Sequence, residues 1–209
     1  MISHIIKESD NTYSRFYYIP NFLDKKNQLK LFSYLENMND FLPSIKYDDG
    51  ISRFQKWYQT DKKYFCPLWK ERYEHWKSFE IDTTLSTIIN NIEEFIKLEQ
   101  INIQDIIIPQ INSCLINKYP KGENFIAPHR DSALSFGENP TIIGLSVGET
   151  RTIDFIRNDK VNKPEFSFNL ESGSIFIMSG SSQRFYQHSI RKSFSENVRY
   201  SLTFREFIL

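Results

Sequence analysis

Apolar side chains recur at helical spacing in two stretches of the first half of the chain and at alternate positions through most of the second. Leu31, Leu35 and Met38 fall at i, i+4 and i+7 with Phe32 beside them, and Asp24 stands where an N-cap belongs; the spacing predicts a helix over about 25–38. Leu85, Ile88, Ile89, Ile92, Phe95 and Ile96 repeat that pattern behind Asp82 or Thr83, and predict a second helix over about 83–98. Beyond Pro109 the period becomes two. Runs at 113–119, 141–147, 152–157, 166–170, 174–178, 185–188 and 199–207 are separated by turn residues such as Pro120-Lys121-Gly122 and Glu171-Ser172-Gly173. Short strands at that spacing predict a sandwich or jelly roll built onto two helices. Residues 13–22 read as an extended entry containing Pro20, and 41–65, with Asp48-Asp49-Gly50 as a turn, as a hairpin or lid.

Composition narrows the function classes. The 209 residues carry 26 basic and 26 acidic side chains, which excludes a uniformly basic nucleic-acid coat and leaves room only for a local basic rim. Abundant aromatics (18 Phe, 11 Tyr) beside only 7 Gly exclude a low-complexity chain. No apolar run approaches the roughly 20 residues of a membrane helix, and Met1 to Glu8 lacks the pattern of a secretory signal. An intracellular protein with no membrane attachment is expected, its two cysteines, Cys66 and Cys114, reduced.

Four histidines are present: His4, His75, His129 and His188. His129-Arg130-Asp131 places an imidazole and a carboxylate two residues apart, on one face of an extended segment. His188, closing the run Phe185-Tyr186-Gln187-His188, can supply a third ligand from another strand. Two imidazoles and one carboxylate leave three cis positions on an octahedral ion and suit non-haem Fe(II) oxygen chemistry. On these residues alone, surface or hydrogen-bonded core histidines remain the other reading. The last strand adds a second signal. Arg199, Ser201, Thr203 and Arg205 alternate with Tyr200, Leu202 and Phe204. Two guanidinium groups inside a barrel need anionic partners, and a small dicarboxylate gripped by arginine forks would provide them. Asn117 and Tyr119 share a face by the same parity. The other reading is one arginine at the rim, paired with Glu123 or Glu196.

Asn117-Lys118-Tyr119, His129-Arg130-Asp131, His188 and Arg199-x5-Arg205 resemble, in order and spacing, the AlkB family of Fe(II)- and 2-oxoglutarate-dependent dioxygenases. Tyr18 to Leu23 resembles that family's entry to its first helix, Arg53 to Tyr58 its nucleotide-recognition lid, and Leu170 to Ser174 and Ser201 to Arg205 the strands flanking the second histidine. The resemblance implies an α+β fold: a double-stranded β-helix (jelly roll) core with N-terminal helices packed on one sheet and a lid hairpin. It implies a single dioxygenase domain over 1–209, with the lid at about 41–65 and the core at about 110–209. His129, Asp131 and His188 would then hold Fe(II). Arg199, helped by Tyr119 and Ser201, would hold the distal carboxylate of 2-oxoglutarate; Arg205 and Asn117 would face its metal-chelating end, with Thr203 nearby. O2 is the remaining co-substrate.

The expected reaction is oxidative demethylation of N-alkylated bases in DNA or RNA, 1-methyladenine and 3-methylcytosine by default, releasing succinate and formaldehyde. A stacked base must be flipped out to react; Trp57 and Tyr58 are expected to receive it, with Ser132 near. Lys62-Lys63, Arg184 and Arg191-Lys192 could contact phosphates, and a monomer is expected. One departure stands out. Repair members of the family carry an acidic residue two places after the metal-binding aspartate, where this chain has Ala133. The competing expectations are an oxygenase of protein side chains or a small molecule, and a non-catalytic nucleic-acid-binding jelly roll.

Overall fold

The structure, a computed structural model, describes residues 1–44, 46–47, 50–62, 77–99, 109–160 and 163–208. Strands β1 (Ile2–Lys7) and β2 (Tyr13–Ile19) precede helix α1 (Lys25–Glu36). Between the helices come β3 (Leu42–Pro43), β4 (Lys46–Tyr47), β5 (Gly50–Ile51), β6 (Phe54–Gln59) and a 3-10 turn at Thr60–Lys62. Helix α2 (Thr83–Leu98) is followed by β7 (Ser113–Tyr119), β8 (Ile126–His129) and the one-turn helix α3 (Ala133–Phe136). The chain ends with β9 (Ile142–Gly148), β10 (Arg151–Arg157), β11 (Phe166–Leu170), β12 (Ile175–Gly180), the one-turn α4 (Ser182–Phe185), β13 (Tyr186–Ile190) and β14 (Arg199–Arg205).

Two antiparallel sheets face each other. The larger runs β1-β2-β12-β9-β14-β7-β6-β3 and the smaller β11-β10-β13-β8. This is the jelly roll expected from the strand spacing. Alternation along each strand of the large sheet sorts its side chains into two cores. Tyr17, Ile19, Leu145, Ile177, Tyr200, Leu202 and Phe204 face the helices, packing on Leu31 and Leu35 of α1 and on Leu85, Ile88, Ile89, Ile92 and Ile96 of α2. Phe16, Tyr18, Phe176 and Met178 face the small sheet and meet Phe155, Phe168 and Ile190. Each large aliphatic buried by α2 contributes about 1.5–3 kcal/mol over an exposed position. Both helices begin at the expected caps: Asp24 accepts from Asn27 N at 2.7 Å and Asp82 from Leu85 N at 2.9 Å. Asp82 also accepts from Tyr34 OH, tying α2 to α1.

Two expectations change. Residues 13–19 are not a mere entry: β2 is an interior strand, paired with both β1 and β12, because its aromatic residues are buried on both faces. The segment expected as a lid contributes β6, which pairs with β7 along its length and belongs to the main sheet, so the β core begins well before residue 110. β1, α3 and α4 carry no periodicity long enough to predict them. The expected turn at Asp48-Asp49, together with Lys63, Cys66 and His75, lies outside the described residues. Among the described residues no helix is long and apolar enough to cross a membrane.

Candidate metal and co-substrate site

His129 ends β8 and His188 sits in the middle of β13, and antiparallel register makes them direct partners. Their rings lie 4.2 Å apart. Asp131 follows two residues past His129, in the bend that leads into α3. The ligand atoms of His129, Asp131 and His188 all lie within 4.8 Å of one another. His129 Nδ1 donates to the Ala127 carbonyl at 3.0 Å, which fixes the tautomer and leaves the Nε2 lone pair free, 3.8 Å from Asp131 Oδ1. The other carboxylate oxygen, Oδ2, accepts from Arg205 Nε at 2.9 Å. The backbone N–H of Asp131 is held by Gln183 Oε1 at 2.9 Å.

These surroundings set the charges. Burial, and then the neighbouring His129, push His188 down to about 3; burial likewise lowers His129. Burial alone would raise Asp131, but Arg205 and the two imidazoles outweigh it and hold the carboxyl at about 2. At neutral pH the cluster therefore presents two neutral imidazoles and one carboxylate, the protonation states that bind a metal.

A cavity of about 240 Å³ opens beside the cluster. It is lined by the inner face of β14 (Arg199, Ser201, Thr203 and Arg205) and by Asn117 and Tyr119 of β7, as their parity predicts. Arg199 is only 1% exposed. Its Nη2 donates to Ser146 Oγ at 2.9 Å, its guanidinium lies 5.2 Å from the Tyr119 ring, and its Nε and Nη1 have no hydrogen-bond partner among the described residues. Burial, reinforced by nearby Arg151, pushes it down to about 10. The Nη1 of Arg205 has no hydrogen-bond partner among the described residues. Neither arginine pairs with Glu123 or Glu196 as the rim reading required; Glu196 bonds Lys121 instead. Arg205 also does more than the sequence suggested, since it orients Asp131 as well as facing the cavity.

Ser132 lines the cavity, but Trp57 and Tyr58 do not, which corrects their expected place. Trp57 is 3% exposed and packs on Leu115, Phe136 and Phe207, its indole N–H donating to Gln59 at 3.1 Å. Tyr58 points to the opposite side of β6, among the helix-facing residues. Gln55, on the inner face of β6, and Arg53, just before that strand, reach the cavity instead; both donate to Asn117 Oδ1, at 2.9 and 2.8 Å. Gln55 lies two residues before Trp57 and Arg53 four, and that shared parity was the available signal. Gln183 and Arg151 were also missed. Arg151 is buried near Tyr119 and gathers the carbonyls of Asn124 and Arg191, stitching two loops behind the cavity. Of the expected phosphate contacts, Arg184 is paired with Asp10 at 2.8 Å and Arg191 with Asp154. Lys192 lies over the Phe125 ring at 4.7 Å, while the Lys62 side chain and Lys63 lie outside the described residues.

The sequence profile described as the 2OG-Fe(II) oxygenase superfamily matches residues 15–205. The human alpha-ketoglutarate-dependent dioxygenase alkB homolog 3 is 29% identical over 161 residues, covering 73% of this chain and 51% of its own length. The DNA oxidative demethylase ALKBH2 of Arabidopsis thaliana is 28% identical over 120 residues, 46% of this chain and 38% of that protein. The chain thus spans about half the length of the human relative it matches. Among solved structures, that of OsALKBH1 superposes with a TM-score of 0.64 at 18% identity, covering 91% of this chain and 97% of the other. An oxidoreductase of the 2OG-Fe(II) oxygenase family from Burkholderia pseudomallei gives 0.63 at 12% identity, covering 91% of this chain and 84% of the other. At those identities the likeness is one of fold.

Proposed function

The chain belongs to the 2OG-Fe(II) oxygenase superfamily, and from that premise we propose that it is an AlkB-type dioxygenase that removes N-alkyl groups from nucleobases. The observation that carries the reading is the meeting of His129, Asp131 and His188 with two incompletely partnered buried arginines around one cavity. The donor set fits the family's cofactors. Nε2 of His129, a ring nitrogen of His188 and Oδ1 of Asp131 would hold Fe(II). The orphaned N–H groups of Arg199 and Arg205 fit the carboxylates of 2-oxoglutarate, whose four oxygens accept only. When bound, Fe(II), 2-oxoglutarate and O2 supply the oxidising chemistry. Together they would supply the oxidising equivalents and the oxygen that turn the N-methyl carbon into formaldehyde, freeing the bare base, while 2-oxoglutarate is converted to succinate and CO2.

The chain's own residues bind, orient and exclude water. Arg205 keeps Asp131 ionised and presents only Oδ1 to the metal. Ala127 orients His129, and Gln183 anchors the Asp131 backbone. Arg199, Tyr119 and Ser201 grip the distal carboxylate, while Asn117 and Thr203 face the chelating end. Leu115, Ile153, Phe176 and Met178 add apolar wall to the cavity, which keeps water from the reacting carbon. Ser132 stands at the cavity beside the place of the incoming base. In this reading the elements from β1 to β14 are one oxygenase domain, and its partner is a nucleic acid carrying an alkylated base. The test is incubation with Fe(II), 2-oxoglutarate and an oligonucleotide containing 3-methylcytosine. Formaldehyde and succinate in equal amounts support the reading; succinate without formaldehyde from any methylated oligonucleotide overturns the substrate class.

A further inference from the structure

Arg53 and Gln55 donate to the same atom, Asn117 Oδ1. A guanidinium has only donors, so the Arg53 bond fixes which end of the Asn117 amide faces β6. That oxygen in turn fixes Gln55. Its Nε2 must point at Asn117, which turns its carbonyl Oε1 the other way. Gln55 Oε1 is buried and has no hydrogen-bond partner among the described residues, on a side chain 4% exposed that lines the cavity. A dry, unpaired carbonyl is costly to a fold, and a ligand that brings a donor removes the cost.

Few other acceptors are on offer. Among the described residues lining the cavity the one carboxylate is Asp131, already bonded to Arg205. The place two residues beyond it is Ala133, which carries no acceptor. The hydroxyls of Ser132, Ser201 and Thr203 rotate and can donate as readily as accept. Gln55 Oε1 is thus the acceptor that cannot reverse itself, because its own amide nitrogen is held.

We propose that Gln55 is a specificity-determining residue whose carbonyl accepts a hydrogen bond from the exocyclic amine of the target base, selecting adenine- or cytosine-type lesions over oxo-edged ones. The inference rests on the nucleobase-demethylase reading above. An oxo-edged base would set its own carbonyl against Oε1, two acceptors face to face with neither able to turn.

The test uses two oligonucleotides identical except for 3-methylcytosine or 3-methyluracil, bases that carry the methyl on the same ring nitrogen and differ at one substituent, amine against oxygen. The wild-type protein is expected to favour 3-methylcytosine in kcat/KM. Gln55→Met is expected to reduce that preference about tenfold, whereas a merely structural role would lower both rates together and leave the ratio unchanged. An unchanged ratio in a variant that melts cooperatively, or a wild-type preference for 3-methyluracil, overturns the inference while formaldehyde release still upholds the demethylase reading. The wild-type comparison stands even if the variant does not fold. No formaldehyde from either oligonucleotide would overturn the demethylase reading and the role of Gln55 with it.

Discussion

Replacing Arg199 by methionine should make the ligand-free protein more stable and at the same time blind to 2-oxoglutarate. The guanidinium is buried with its Nε and Nη1 unpartnered among the described residues, and burial lowers its pKa from the ordinary arginine value to about 10. For a basic group held below its ordinary value, the destabilisation is fully present at neutral pH and is relieved only above the folded pKa. The interval corresponds to roughly 3 kcal/mol. Losing the bond to Ser146 gives back about 1 kcal/mol, which leaves a net gain of about 2 kcal/mol. For a chain of this size that is a rise of about 4–8 °C in melting temperature. The bound state behaves oppositely: removing one partner of a buried charge pair costs about 3–5 kcal/mol, a loss of co-substrate affinity of roughly two to nearly four orders of magnitude. The assay is thermal melting of both proteins, ligand-free in chelator and, in a separate chelator-free arm, with saturating 2-oxoglutarate plus Mn(II). A ligand-free melting temperature that falls in Arg199→Met, together with undiminished protection by 2-oxoglutarate, would refute the assignment of this arginine to the co-substrate.

Acid should destabilise the metal-free protein in two stages. Below about 6.5 the unfolded chain takes up a proton that folded His188, at about 3, refuses, and between about 4 and 2 the same holds for Asp131; both effects remove stability as pH falls. His188→Leu should remove most of the upper stage, on the order of 4 kcal/mol, leaving the smaller part that His129, also lowered by burial, contributes; melting across pH 7 to 4 checks it, and an unaltered slope would contradict it. Gln183→Leu deprives the Asp131 N–H of its acceptor and should weaken Mn(II) binding about tenfold, as read by calorimetry; wild-type affinity would assign that contact no role. Trp57→Leu should cost about 2–4 kcal/mol of stability and leave the ranking of methylated substrates unaltered, because the indole lies behind the cavity wall; a changed ranking would return Trp57 to substrate recognition.

Much of this was legible in the residues because the deciding signals are local. Parity along Arg199 to Arg205 predicts which side chains face inward, and the observed strand divides them in that way between the cavity and the helix-facing core. The apolar stripe and cap of α2 fix its span, since both lie within a few turns. What failed depends on neighbours distant in sequence. The role of β6 follows from its pairing with β7, and only that register reveals that Trp57 sits opposite Leu115 while Gln55 sits opposite Asn117. Arg184 reads as a free cation because its partner, Asp10, is 174 residues away. The anchoring of Asp131 by Gln183 depends on a one-turn helix that no period announces.

The central claim is that His129, Asp131 and His188 hold one ferrous ion with 2-oxoglutarate beside it. Anaerobic equilibrium dialysis against Fe(II) and 2-oxoglutarate measures this directly. The wild-type protein should retain one of each per chain, and His188→Ala should retain neither while still melting cooperatively; full retention of iron by that variant would contradict the account.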